Sequence, residues 1–201
     1  MQFYLDKLNN YKHKICDHSE YKEFSVLLPI VRHGNKESIL FEVRSHKLQK
    51  QPNEICFPGG KIEQEETKLQ AAVRETCEEL LIEDSNIKVI TEIDTLVTPF
   101  STVIYPYTAY LESYEGTFNL QEVQEVFTVP LDFLVNCKPL CSYLDIQMTP
   151  KDDFPFDKIQ YGREYPWAQG KYPIYIYEYH NKIIWGITAR ILKSFIELIK
   201  V

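Results

Sequence analysis

No apolar stretch in this chain approaches the roughly 18 residues that a membrane-spanning helix needs, which excludes such a helix. Runs of lysine and arginine never exceed a couple of residues, and the formal charge is −7. Bulk nucleic-acid binding is thereby excluded, because it rests on a basic patch. A phosphate-bearing small molecule is not, since local groups set that affinity. Cysteine is sparse. The five residues Cys16, Cys56, Cys77, Cys137 and Cys141 are odd in number and lack C-x-x-C spacing. That pattern argues against zinc and for reduced thiols, so a cytoplasmic protein is expected. Met1–Asp6 has neither a basic nor an apolar leader region, and no signal peptide is expected. Internal repeats and low-complexity segments are also missing. What remains is ordinary for a globular chain, with 44% apolar and 25% charged residues. Its 201 residues are read as one domain with ample length for a core.

One stretch stands out, Phe57 to Ile82, which reads FPGGKIEQEETKLQAAVRETCEELLI. A proline and two glycines make a loop, and Thr67 with Gln70 has the form of a capping box that opens a helix. Leu69, Ala72, Val73, Thr76 and Leu80 fall on one face of it. Glu75, Glu78 and Glu79 fall beside that face at i, i+3 and i+4, so their carboxylates are neighbours and repel one another. A cation among them relieves the repulsion, and hard oxygen ligands suit Mg²⁺ or Mn²⁺. Runs of acid usually coat a solvated surface, but here the spacing goes further. Gly60, five residues, Glu66, seven residues, Arg74-Glu75, then Glu78-Glu79 resembles the Nudix box, G-x5-E-x7-R-E-U-x-E-E-x-G-U, over residues 60–82. Thr76 stands where the box has an apolar residue. Leu81 stands where it has glycine, and positive φ there would cost a leucine on the order of 1 kcal/mol. The helix is therefore expected to run on and end near Asp84-Ser85-Asn86.

Along the rest of the chain, residues 3 to about 16 have the spacing of an amphipathic helix. Phe24–Arg32 and Ser38–Arg44 read as a hairpin of strands, with Pro29 facing an unpaired edge or a bulge. Arg44 to Gly60 resembles a motif of the coenzyme A pyrophosphatase group of Nudix hydrolases, L-L-T-x-R-[SA]-x3-R-x3-G-x3-F-P-G-G. Leu40 and Phe41 lead into Arg44-Ser45, and Phe57 to Gly60 closes it. Gln49 replaces the second arginine and Asn53 the first glycine, a residue that tolerates positive φ. Ile87–Ile90, Ile93–Thr98 and Val103–Leu111 read as strands, with Pro106 at another edge or bulge. Asn136–Lys171 shows no clean period. Tyr172–Tyr179 and Ile183–Trp185 read as strands before a closing helix from Thr188. The resemblance extends from about residue 24 to 198 and implies a Nudix-type α/β/α sandwich. The element order independently suggests an α/β fold with a mixed β-sheet and helices on both faces.

The resemblance also implies a chemistry. A Nudix hydrolase cleaves a diphosphate linkage with a divalent metal, here Mg²⁺ or Mn²⁺. Glu75, Glu79, Glu78 and the carbonyl of Gly60 would hold the ion. Glu78 or Glu122 would take the proton of the attacking water, and Arg74 would orient Glu75. Arg44, Lys47, Lys50 and Phe57 would meet the substrate, and the aromatic segment Phe154–Trp167 has the length to wall its groove. The expected substrate is coenzyme A, split to 3′-phosphoadenosine 5′-phosphate and 4′-phosphopantetheine. A Nudix enzyme for another nucleoside diphosphate derivative, or a non-catalytic module on the same fold, are the alternatives. Oligomeric state is not legible in the sequence.

Overall fold

The computed structural model describes residues 15–200. The helix expected over residues 3 to about 16 falls almost wholly outside them. The larger sheet is built from β1 (Lys22–His33), β2 (Lys36–Arg44), β3 (Ile55–Cys56), β4 (Gly59–Lys61), β5 (Ile87–Glu92), β6 (Leu96–Thr98), β7 (Thr102–Leu111) and β8 (Val123–Pro130). β1 lies at its centre, antiparallel to β2 and β4 and parallel to β7, so the sheet is mixed. A smaller antiparallel sheet runs in the order β11 (Lys182–Trp185), β10 (Gln169–Tyr179), β9 (Leu140–Gln147). Three helices complete the described residues, α1 (Lys68–Leu80), α2 (Leu131–Asn136) and α3 (Gly186–Ile199). No helix among them is long and apolar enough to cross a membrane.

Alternation along β1 and β2 divides the core between two faces. Leu27, Val31 and Leu40 point to one side and pack with Ala72 and Leu80 of α1. Leu28, Ile30, Ile39 and Phe41 point to the other and pack with Leu192, Phe195 and Ile196 of α3, and with Tyr177 and Ile184 of the small sheet. The result is the layered α/β/α arrangement with a mixed sheet that the element order suggests.

Pro29 and Pro106 lie in the middle of the sheet rather than at its edge. β1 pairs with β4 through Val26 and with β2 from Ile30. Leu27 N–H points to that side, donating to the Pro58 carbonyl. Two residues on, Pro29 has its missing donor where β4 gives way to β2. Pro106 does the same on β7, between its pairing with β6 up to Ile104 and with β5 from Tyr107. A central strand tolerates proline where its neighbour changes, because no ladder bond is lost there.

Three expectations are corrected. The strand expected over Ile93–Thr98 is only Leu96–Thr98. Residues 136–171 contain α2's end and the whole of β9, whose residues are exposed on both sides, so burial imposed no alternation to read. The helix of the acidic motif does not run on to Asp84–Asn86, which forms a separate 3₁₀ turn. α1 stops at Leu80, and Leu81 adopts φ 53° and ψ 49° as its left-handed cap, letting Ile82 N–H reach the Cys77 carbonyl. Thr76 is buried without penalty, because its hydroxyl donates to the Ala72 carbonyl at 2.7 Å.

Leu81 is 58% exposed and packs little, so its strain is not offset by burial. Leu81→Gly should therefore stabilise the fold by about 1 kcal/mol, which for a chain of this size raises Tm by roughly 2–4 °C. A thermal melt showing a lower Tm would mean that the leucine contributes packing that outweighs its backbone strain.

Candidate active site

The Phe57–Gly60 turn is clamped against α1. Phe57 stacks on Phe41 with ring centroids 5.0 Å apart, Pro58 accepts from Leu27 N–H, and Gly59–Lys61 pairs with β1. Gly59 N–H then donates to Glu79 Oε2 at 2.8 Å. Gly59 is required here, and Gly60 leaves room for the Glu75 carboxyl. Gly59 has φ 151°, and a Cβ on it would lie 2.4 Å from the Ser25 carbonyl oxygen. A Cβ on Gly60 would lie 2.2 Å from the carboxyl carbon of Glu75. α1 itself opens with the expected capping box, Thr67 and Gln70 satisfying each other's backbone donors.

Arg74 is the hub of the motif's charges. Its guanidinium donates twice to Glu66, at 2.8 and 3.1 Å, and once each to Glu75 at 2.9 Å and Glu78 at 3.3 Å. The forked pair holds the Glu66 carboxyl below its ordinary range. Burial has the opposite effect on the other two acids of the clamp. It pushes Glu75 above the usual carboxylate range, and Glu79, which is 3% exposed, up to about 9, with the nearby Glu42 adding to the shift.

These groups open onto a cleft of about 690 Å³. Gly60, Glu75, Glu79, Glu122, Arg44, Lys50 and Phe57 all line it. Arg74, Glu78 and Lys47 do not. Glu78 points outward, with a side chain 54% exposed, because it lies one residue, about 100° round the helix axis, from Glu79. Lys47 is exposed on the loop after β2. Glu122 sits just before β8, where Asn119 Nδ2 donates to its Oε1 at 3.3 Å. The apolar wall comes from Leu144, Tyr172, Ile174 and Trp185 of the small sheet, Ile187 at the start of α3, and Phe100 in the loop between β6 and β7. The segment Phe154–Trp167 is not part of it; Phe154, Phe156, Tyr165 and Trp167 pack edge to face on one another instead.

Sequence reasoning missed Glu42. This residue of β2 is 1% exposed; Cys56 Sγ donates to its Oε1 at 3.1 Å, while Oε2 is buried without a partner. Burial, with Glu122 and Glu75 nearby, pushes its carboxyl up to about 7. The available signal was a lone acid inside the apolar run SILFEVR.

The donor set fits a hard divalent ion. Glu75, Glu79 and the Gly60 carbonyl offer oxygen, and buried carboxylates are crowded where counter-charge is short. Among the described residues no three metal-binding side chains are already drawn together, because Gly59 holds Glu79 and Arg74 holds Glu75.

A family model for the NUDIX domain matches residues 23–145. The peroxisomal coenzyme A diphosphatase NUDT7 of Mus musculus is 36% identical over 121 residues, covering 59% of this chain and 51% of the relative. The peroxisomal coenzyme A diphosphatase ndx-8 of Caenorhabditis elegans is 30% identical over 142 residues, covering 68% and 58%. The chain thus spans a little over half the length of these curated relatives. A crystal structure of a MutT/nudix family protein from Enterococcus faecalis matches with TM-score 0.52 at 14% identity, covering 100% of this chain and 70% of that one. That is a likeness of fold.

The raised carboxyls carry a pH signature. Unfolded, Glu42 and Glu79 ionise near the ordinary 4.5; folded, they hold their protons to about 7 and about 9. Between those limits the native state binds more protons, so stability is fully present below pH 4.5 and falls as pH rises. In EDTA, chemical denaturation should show the protein weaker at pH 8 than at pH 5. Glu79→Gln should flatten the decline above pH 7; a parallel decline in both proteins would contradict the assignment.

Proposed function

Because this chain belongs to the Nudix family, we propose that it is a metal-dependent pyrophosphohydrolase whose substrate is coenzyme A or a derivative. The observation that carries the reading is the cleft itself, which joins buried carboxylates, the three cations Arg44, Lys50 and Lys61, and a long apolar wall. Coenzyme A has the matching parts, a diphosphate, a ribose 3′-phosphate and an extended pantetheine arm. The two relatives named as coenzyme A diphosphatases support the choice.

In this reading Glu75, Glu79 and the Gly60 carbonyl hold Mg²⁺ or Mn²⁺, which when bound supplies positive charge against the diphosphate. Arg74 keeps Glu75 oriented and does not touch substrate, since its donors are spent on Glu66, Glu75 and Glu78. Glu122 takes the proton of the attacking water, being the acid that enters the cleft from the strand side; Glu78, outside the cleft, is set aside. Arg44 and Lys50 meet phosphate oxygens. Leu144, Tyr172 and Trp185 receive the arm and keep water from it.

The test is product analysis after incubation with Mg²⁺ and a panel of diphosphates. Coenzyme A should yield 3′-phosphoadenosine 5′-phosphate and 4′-phosphopantetheine, and Glu79→Gln should lower kcat at least ~10²-fold, the scale of a lost charge-stabilising group. Glutamine keeps the acceptor for Gly59 N–H, so folding is preserved. Faster hydrolysis of ADP-ribose than of coenzyme A would end the substrate assignment and leave the Nudix chemistry standing.

Arg44 supplies a finer test. Arg44→Ala should raise KM for coenzyme A more than for dephospho-coenzyme A, which lacks the 3′-phosphate. Equal losses on both would assign Arg44 to the shared diphosphate.

A further inference from the structure

The Nudix motif accounts for the carboxylates of α1 and leaves out the one that β2 sets beneath them. Glu42 stands between Phe41 and Val43, opposite Cys56 on β3 and Val126 on β8. The charged groups that face it are Arg44 on its own strand, Glu75 and Glu79 on α1, and Glu122 before β8. Its Oε1 takes one thiol hydrogen bond, and its Oε2 has none although it is sealed from solvent. Arg44 does not close on it, and the Nε of that arginine is also buried without a partner.

A buried carboxylate oxygen without a donor destabilises a fold. In the motif that residues 40–60 resemble, this position is threonine, which fills the same strand site without a charge. Glu42 therefore adds a carboxyl group, on the sheet side, to a neighbourhood that already holds Glu75, Glu79 and Glu122. The orphaned oxygen and the acidic neighbours call for the same partner, a compact multivalent cation with a preference for hard oxygen.

We propose that Glu42 is a further oxygen donor of the divalent-cation site, contributed by the sheet and absent from the Nudix box. The inference rests on the reading of the cleft as a metal-dependent hydrolase site. It assigns a binding residue to this chain that the motif does not contain.

The test is Mn²⁺ binding to the full chain without substrate, followed by loss of the free-ion EPR signal, with thermal melts in EDTA alongside. Glu42→Gln and Glu42→Thr should bind Mn²⁺ roughly 10- to 100-fold more weakly than the wild type. Their metal-free Tm should rise, because an unpartnered buried carboxyl group has gone. Unchanged Mn²⁺ affinity in either variant overturns the proposal. So does a fall in metal-free Tm in both, which would make Glu42 a structural residue. Glu79→Gln separates the two readings: if it binds Mn²⁺ as well as the wild type does, the metal site on α1 fails and Glu42 fails with it. Loss of binding in Glu79→Gln with full binding in the Glu42 variants overturns only the role of Glu42.

Discussion

The Phe57–Gly60 turn and α1 approach each other so closely that one methyl group on Gly60 would overlap the Glu75 carboxyl. The rest of the site is arranged about that contact. Gly59–Lys61 pairs with β1, which sets the turn on the central strand of the sheet. It directs Gly59 N–H onto Glu79, so a buried acid gains one donor and keeps its other oxygen free for the cleft. The capping box at Thr67 and the left-handed Leu81 then fix where α1 begins and ends relative to that turn. A loop held this way contributes backbone carbonyls and side-chain oxygens from two directions, which is what a divalent ion with a diphosphate ligand needs.

The clamp has an electrostatic cost, and the chain meets part of it locally. Arg74 compensates Glu66, Glu75 and Glu78 at the surface end of the motif. Arg44 lies near Glu79 and Glu42 but bonds to neither, and burial raises both carboxyls well above their ordinary range. The site is thus prepared for positive charge at its buried end and already neutralised at its outer end. Arg44 and Lys50 sit in the same cleft, on strand and loop segments just upstream of the turn, where a phosphate can approach them.

Much of this was legible in the residues. The capping box, the apolar stripe of α1, the Asn53 turn at φ 63° and the hairpin of β1 and β2 follow from local rules. The failures have separate causes. Pro29 and Pro106 read as marking an edge or a bulge because a sequence does not say where a strand changes neighbours. Leu81 read as helical because propensity disfavours its left-handed cap, and the turn to Ile82 overrode that preference. β9 left no period because neither of its faces is buried. Glu42 was hidden inside an apolar strand, and most of the apolar wall of the cleft comes from residues far along the chain from the motif, on the small sheet and at the start of α3. The acids of α1 were found by spacing, whereas the division between Glu79 inside and Glu78 outside depends on where the turn touches the helix.

In the proposed site the turn and α1 together seat a divalent cation. Anomalous diffraction from crystals grown with Mn²⁺ tests it most directly. The predicted result is a peak bounded by Glu75, Glu79 and the Gly60 carbonyl. Strong Mn²⁺ density elsewhere on the molecule, with none at that position, would contradict it.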